Sequence, residues 1–138
     1  MFIEFSMSQN DHAVLYSPLK ENDIMMQDWN QYRESLLARV GDFAKQSPDV
    51  VRGLTTIDNA AAKTGHLEPK IHELIALAVA VTTRCDGCIT VHTKKAVEHG
   101  ATLAEISEAL GVAVALNAGA ALTYSARVLD AHAQLTNT

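Results

Sequence analysis

Apolar residues recur at steps of three and four along most of this chain, which is the spacing of one helical face and not of a strand. Trp29, Tyr32, Leu36, Val40 and Phe43 fall on one face of a first helix. Ser47-Pro48-Asp49 reads as the start of a second, with a capping hydroxyl, a proline at the first helical position and an acid near the positive dipole end. Val50, Leu54, Ile57 and Ala61 form its apolar face, and Gly65 is the expected stop. Pro69 opens a third helix. Its interior, residues 74–81, is apolar all round, the pattern of a helix buried on every side. The run is compatible with a strand, but it is Ala-rich and continues a helical pattern from Ile71. Residues 84–87 break it, and a fourth helix is expected from about Cys88 to His99, ending at Gly100. Thr102-Leu103-Ala104-Glu105 is a capping box that opens a fifth, continued by Ile106 and Leu110. Asn117-Ala118-Gly119 is expected to kink or end it, with a last helix over about 120–135. No stretch shows strand-like alternation. The pattern therefore predicts an all-α, single-domain bundle of five to seven helices. Residues 1–20 lack a clear period and read as an N-terminal arm, with the helical domain over 21–138.

Composition refines this picture without changing it. The chain has 138 residues, enough for one core, and 48% hydrophobic against 20% charged residues is ordinary globular usage. A net charge of −5 and the absence of any basic run argue against a nucleic-acid surface. The first residues carry no basic n-region or long apolar core of a secretory signal. The longest unbroken apolar runs, 74–81 and 111–116, are far shorter than a membrane span. A soluble, cytoplasmic chain is expected. Aromatics are only 5%, and the segment 109–122 is more apolar than a small monomer readily hides, so a homo-oligomer is expected.

The chemistry concentrates in one place. The only two cysteines are Cys85 and Cys88. A structural disulfide constrains the unfolded chain most when it closes a long loop, and a two-residue gap does little of this. In a cytoplasmic chain such a pair points to redox chemistry or metal binding. The pair sits where one helix ends and the next begins, so unpaired N–H groups and a dipole end favour the thiolate. His92 follows Cys88 by four residues, one helical turn, and can take the thiol proton. Glu73 lies in an otherwise apolar helix and needs a partner. That partner is either His92, which it would orient, or a structural cation such as Lys70 or Arg84. A zinc site on Cys85, Cys88 and His92 lacks a fourth ligand within reach, because His99 lies ~10 Å further along the helix. No metal and no cofactor are expected.

Glu73, eleven residues, Cys85-Asp86-Gly87-Cys88, three residues and His92 together resemble the Glu-x11-Cys-x-x-Cys-x3-His pattern of alkyl hydroperoxidase D-like proteins, within the carboxymuconolactone decarboxylase superfamily. The following text, from His92 through Gly100-Ala101-Thr102 to Leu110, is similar to it as well. The resemblance covers roughly residues 50–130. It implies an all-helical fold assembled as a homotrimer or homohexamer. It implies a thiol-dependent peroxidase or disulfide oxidoreductase, with Cys88 as attacking thiolate, His92 and Glu73 as proton relay and Cys85 as resolving thiol. The substrate would be a hydroperoxide or a disulfide, and an external dithiol or redox partner protein would restore the reduced form. Nucleic acid and membrane are not expected partners. The alternatives are a lactone decarboxylase and a non-catalytic redox-sensing or zinc-binding oligomer. The chain departs from alkyl hydroperoxidase D proper at Gly87, where that protein has a histidine that joins the relay.

Overall fold

The computed structural model describes residues 26–136, which form five helices and, among the described residues, no strand. These are α1 (Trp29–Gln46), α2 (Pro48–Lys63), α3 (Pro69–Thr83), α4 (Asp86–Glu98) and α5 (Leu103–Thr136). The arm expected over residues 1–20 lies outside the described residues.

Helix boundaries follow local chemistry. The Asp28 carboxylate accepts from the backbone N–H groups of Asn30 and Gln31 and so starts α1. At α2 the proline is at the first turn as expected, but the Ser47 hydroxyl makes no capping bond. The N–H of Ser47 instead closes the end of α1 on the Phe43 carbonyl, so this residue serves as the C-cap of one helix and the N-cap of the next. Gly65 and Gly100 have φ of +69° and +78°, the left-handed conformation in which a glycine ends a helix at no steric cost. The capping box is closed in both directions: Thr102 N–H donates to Glu105 Oε2 at 2.8 Å, and Glu105 N–H to Thr102 Oγ1 at 3.2 Å.

α3 is the centre of the fold, packing on both α4 and α5, while α1 packs on α4 and α2. Among the described residues the buried apolar side chains are few: Leu77 and Ala80 of α3, Ala96 of α4 and Ala113 of α5. The expectation that α3 is buried on every side does not hold within one chain. Leu77 and Ala80 are covered, but Ile75 and Val79 remain about half exposed.

The expected break at 117–119 is also absent, and α5 runs unbroken for 34 residues. Gly119 in a helix interior costs only about 1 kcal/mol. Asn117 bonds in a way that suits a helix, its amide donating to the Ala113 carbonyl at 2.7 Å and to the Thr82 hydroxyl of α3 at 3.0 Å. As one element, α5 is long and apolar enough to cross a membrane by length and composition, which the shorter runs counted in the sequence did not show.

Candidate functional site

The site is assembled at the junction of α3 and α4. α3 ends at Thr83, and Arg84 follows in the left-handed conformation at φ 55°, turning the chain back. This is an uncommon geometry for a non-glycine residue. Its N–H and that of Cys85 return to the last carbonyls of α3, those of Val81 and Ala80. Cys85 is then extended and serves as the N-cap of α4. Its sulfur accepts from the backbone N–H of Cys88 at 3.2 Å, the position a serine or aspartate oxygen usually fills.

Cys85 and Cys88 are joined as a disulfide, with 5.2 Å between their Cα atoms. Both are partly exposed. A dithiol here opens at the positive end of α4, where the first-turn N–H groups favour a thiolate. Asp86 adds an acidic charge to the same turn.

His92 lies one turn beyond Cys88, and across from it α3 presents Glu73. His92 Nδ1 lies 2.7 Å from Glu73 Oε2. Both side chains are largely covered, at 21% and 13% exposed. An ionised carboxylate can only accept, so Nδ1 carries the proton and Nε2 is left as the acceptor. Of the partners considered for Glu73, the structure selects His92. Lys70 is engaged elsewhere, on Glu105 of α5 at 2.7 Å. The four residues singled out from the sequence, Glu73, Cys85, Cys88 and His92, thus gather at one junction. His12 lies outside the described residues, and no bond is formed between the other histidines and this cluster. No group of three or more His, Cys, Asp or Glu among the described residues is arranged to hold a metal ion.

One neighbour of the dithiol was not foreseen. α1 crosses the first turn of α4. A Cβ placed on Gly87 would stand 2.9 Å from Leu36 Cδ2, so Leu36 occupies the space a side chain at 87 would need. Further along, the buried Thr90 hydroxyl donates to the Trp29 carbonyl at 3.1 Å and fastens the start of α1 to α4. Leu36 and Gly87 are 51 positions apart, and no spacing rule links them.

Among the charged groups, Glu105 is held well below the usual carboxylate range, at about 2, first by its hydrogen bond with Lys70 and then by the Thr102 backbone and hydroxyl. Lys70 is raised in turn by the same bond. The pair ties the start of α3 to the start of α5.

A family model for the carboxymuconolactone decarboxylase family matches residues 48–131. The chain belongs to the carboxymuconolactone decarboxylase family. Alkyl hydroperoxidase D-like proteins are members of it. The match spans α2 to α5 up to residue 131 and leaves out α1, the helix that carries Leu36 and Trp29. An uncharacterised protein of Haemophilus influenzae is 46% identical over 108 residues, 78% of this chain and 96% of that protein. An uncharacterised protein from the cox locus of Paracoccus denitrificans is 33% identical over 67% of this chain and 83% of its own length. The crystal structure of an apo carboxymuconolactone decarboxylase family protein from Legionella pneumophila is 36% identical, with a TM-score of 0.61, over 71% of this chain and 88% of that one.

Proposed function

We propose that this protein is a thiol-dependent oxidoreductase of the cytoplasm, working as a homo-oligomer, in which Cys85 and Cys88 cycle between dithiol and disulfide and reduce a hydroperoxide. The observation that carries the reading is the 2.7 Å contact between His92 and Glu73, one helical turn from Cys88. A largely covered carboxylate–imidazole pair beside a dithiol at a helix start is suited to moving a thiol proton.

His92 Nε2 takes the Cys88 thiol proton, and Glu73 stabilises the imidazolium. The Cys88 thiolate attacks the peroxide, breaking the O–O bond; the sulfur becomes a sulfenic acid and the leaving alkoxide takes the proton from His92 as an alcohol. The Cys85 thiol then displaces water from the sulfenic acid, giving the disulfide. An external dithiol reduces it through a mixed disulfide and leaves oxidised. Gly87 offers no side chain to this relay. Exchange with an external dithiol is therefore the better supported half of the cycle.

Lactone decarboxylation, the reaction in the family's name, needs no pair of thiols. The two readings separate in one assay: hydroperoxide-dependent oxidation of a dithiol reductant by wild type, Cys88→Ser and the double serine variant. The proposal expects turnover in wild type and none above background in either variant. Wild-type turnover no better than that of Cys88→Ser would overturn it. Decarboxylation of carboxymuconolactone by the double variant would favour the lyase.

A further inference from the structure

Arg84 stands between the end of α3 and Cys85, and neither the fold nor the dithiol cycle uses its side chain. Its backbone is left-handed, at φ 55° and ψ 45°. The chain adopts positive φ again at Gly65 and Gly100, where glycine does so without steric cost. At 84 alone among the described residues the position goes to a residue with a Cβ, which is strained there. Glycine would make this turn more easily, so the turn does not account for the arginine. Bonds within the chain do not account for it either. The sequence has five arginines. Arg39 and Arg52 pair with Asp42 and Asp49, Arg33 bonds to Asn30, and Arg127 lies over the Tyr124 ring. The exposed Arg84 guanidinium has no partner among the described residues, and Glu73, a carboxylate it could have met, is engaged by His92. A residue kept in a strained conformation with an unused charge points to a ligand from outside the chain.

The surroundings set the kind of ligand. A guanidinium offers a planar fork of donors that fits an oxyanion, and this one belongs to the residue next to a partly exposed disulfide. Asp86, two positions on, is exposed as well, so residues 84–88 together carry no formal net charge. Lys70 is held by Glu105 and Lys94 by Glu98. A phosphate dianion calls for more than one cation, whereas a carboxylate monoanion is matched by a single guanidinium. The whole chain is acidic, at −5, so an acidic protein face is repelled at long range. A small carboxylate-bearing molecule is the ligand this turn fits.

We propose that Arg84 binds the carboxylate of the small thiol that reduces the Cys85–Cys88 disulfide, and so selects carboxylate-bearing thiols over neutral ones. This rests on the reading of Cys85 and Cys88 as a redox pair. The reductant thiolate attacks Cys85 Sγ, beside Arg84. The S–S bond breaks and Cys88 leaves with its electron pair as a thiolate, which His92, one helical turn away, stabilises. A second reductant thiolate, on the same molecule for a dithiol or on another for a monothiol, attacks the reductant sulfur of the mixed disulfide and releases Cys85. Two reductant thiols are oxidised to a disulfide, one protein disulfide is reduced, and the protein sulfurs take up the two protons that the reductant thiols gave to solvent.

The test sets 3-mercaptopropionate against 3-mercaptopropionamide, the same thiol with and without the charge, on the oxidised full-length protein. Wild type, Arg84→Gly and Arg84→Lys are reduced by each, and free Cys85 and Cys88 are counted over time by alkylation and mass spectrometry. Rates are referred to the thiolate concentration of each reductant. Arg84→Gly should fold with a Tm no lower than wild type, because glycine suits the conformation. It should lower the carboxylate-to-amide rate ratio by about fivefold, the upper range for one exposed charge pair, and change the amide's own rate by less than about twofold. Arg84→Lys should keep part of the preference, and about 0.5 M sodium chloride should remove most of it from wild type. An unchanged ratio in Arg84→Gly would overturn the inference. So would an equal slowing of both thiols, or a fall in Tm that Arg84→Lys restores with the ratio unchanged, since Arg84 would then serve only the C-terminal end of α3. A stronger dependence on Arg84 for coenzyme A, a thiol whose anions are phosphates, would overturn the carboxylate. A wild-type disulfide that neither thiol reduces would overturn the redox reading and this inference with it, whereas reduction by both with no preference overturns this inference alone.

Discussion

His92 Nδ1 of α4 stands 2.7 Å from Glu73 Oε2 of α3, across the junction that also holds the dithiol. Rise along the helices alone does not bring these residues together. Glu73 lies ten residues before the end of α3, about 15 Å, and His92 six residues into α4, about 9 Å. The helices therefore do not run as a level hairpin, and the left-handed turn at Arg84 with the extended Cys85 sets the offset.

This contact fixes the imidazole one helical turn from Cys88. Removing the charge of its partner with Glu73→Gln should slow alkylation of Cys88 in the reduced protein at neutral pH by about tenfold, and His92→Ala by about a hundredfold. Both should displace the pH–rate profile of alkylation upward, a change a purely structural contact would not produce. Mass-spectrometric counting of iodoacetamide adducts on Cys88 against pH checks this. An unchanged profile in both variants would remove the pair from the account.

Leu36 and Gly87 should behave as one energetic unit. Gly87→His places a large group where Leu36 Cδ2 already sits, and overpacking of this kind costs about 1–3 kcal/mol. Leu36→Ala alone also destabilises, since it removes part of the cover of the α4 start. Combined, the two should be at least about 1 kcal/mol less destabilising than their sum, because residues in contact do not add. Urea unfolding of the four proteins measures the difference. Strict additivity would mean that α1 does not lie over the dithiol turn.

Glu105 gives a pH signature away from the site. Its carboxyl is held at about 2, first by its bond with Lys70, against an ordinary value of 4.5. A depressed folded pKa means that the unfolded chain binds the proton more readily. The contribution to stability is thus full above about pH 5 and is lost as pH falls from there toward 2. Glu105→Gln should flatten the fall of Tm over that window and lower Tm at pH 7, where the charged form is the stabilising one. A Tm–pH curve parallel to wild type between pH 5 and 2 would contradict the assignment.

Much of this was legible in the chain. The first four helices and the start of the fifth follow from apolar spacing and from stops at Gly65 and Gly100, and the Thr102–Glu105 box is closed as its sequence foretells. Cys85, Cys88 and His92 fall within the first two turns of α4 and its N-cap, so spacing alone makes them neighbours. Glu73 could be singled out as a carboxylate in need of a partner, but its choice of His92 over Lys70 depends on packing and on the competing pull of Glu105. The continuity of α5 was not legible, because Asn117 and Gly119 look like a break until Thr82 of another helix supplies a bonding partner. The cover of Gly87 by Leu36 left no trace in the sequence. It is a contact between elements, and α1 lies outside the part of the chain that the family model matches.

The central claim is that Cys88 is the nucleophile and Cys85 the thiol that resolves it. Cys85→Ser suits the test, since a serine can take over the N-cap bond that the Cys85 sulfur now accepts from Cys88 N–H. The decisive measurement is dimedone trapping after reduced Cys85→Ser and reduced wild type each meet one equivalent of hydroperoxide, read by peptide mass spectrometry. The account predicts a sulfenic acid adduct on Cys88 in the variant, and in wild type the Cys85–Cys88 disulfide with no adduct. No adduct on Cys88 in Cys85→Ser, with the adduct instead on Cys85 in the matching Cys88→Ser variant, would contradict it.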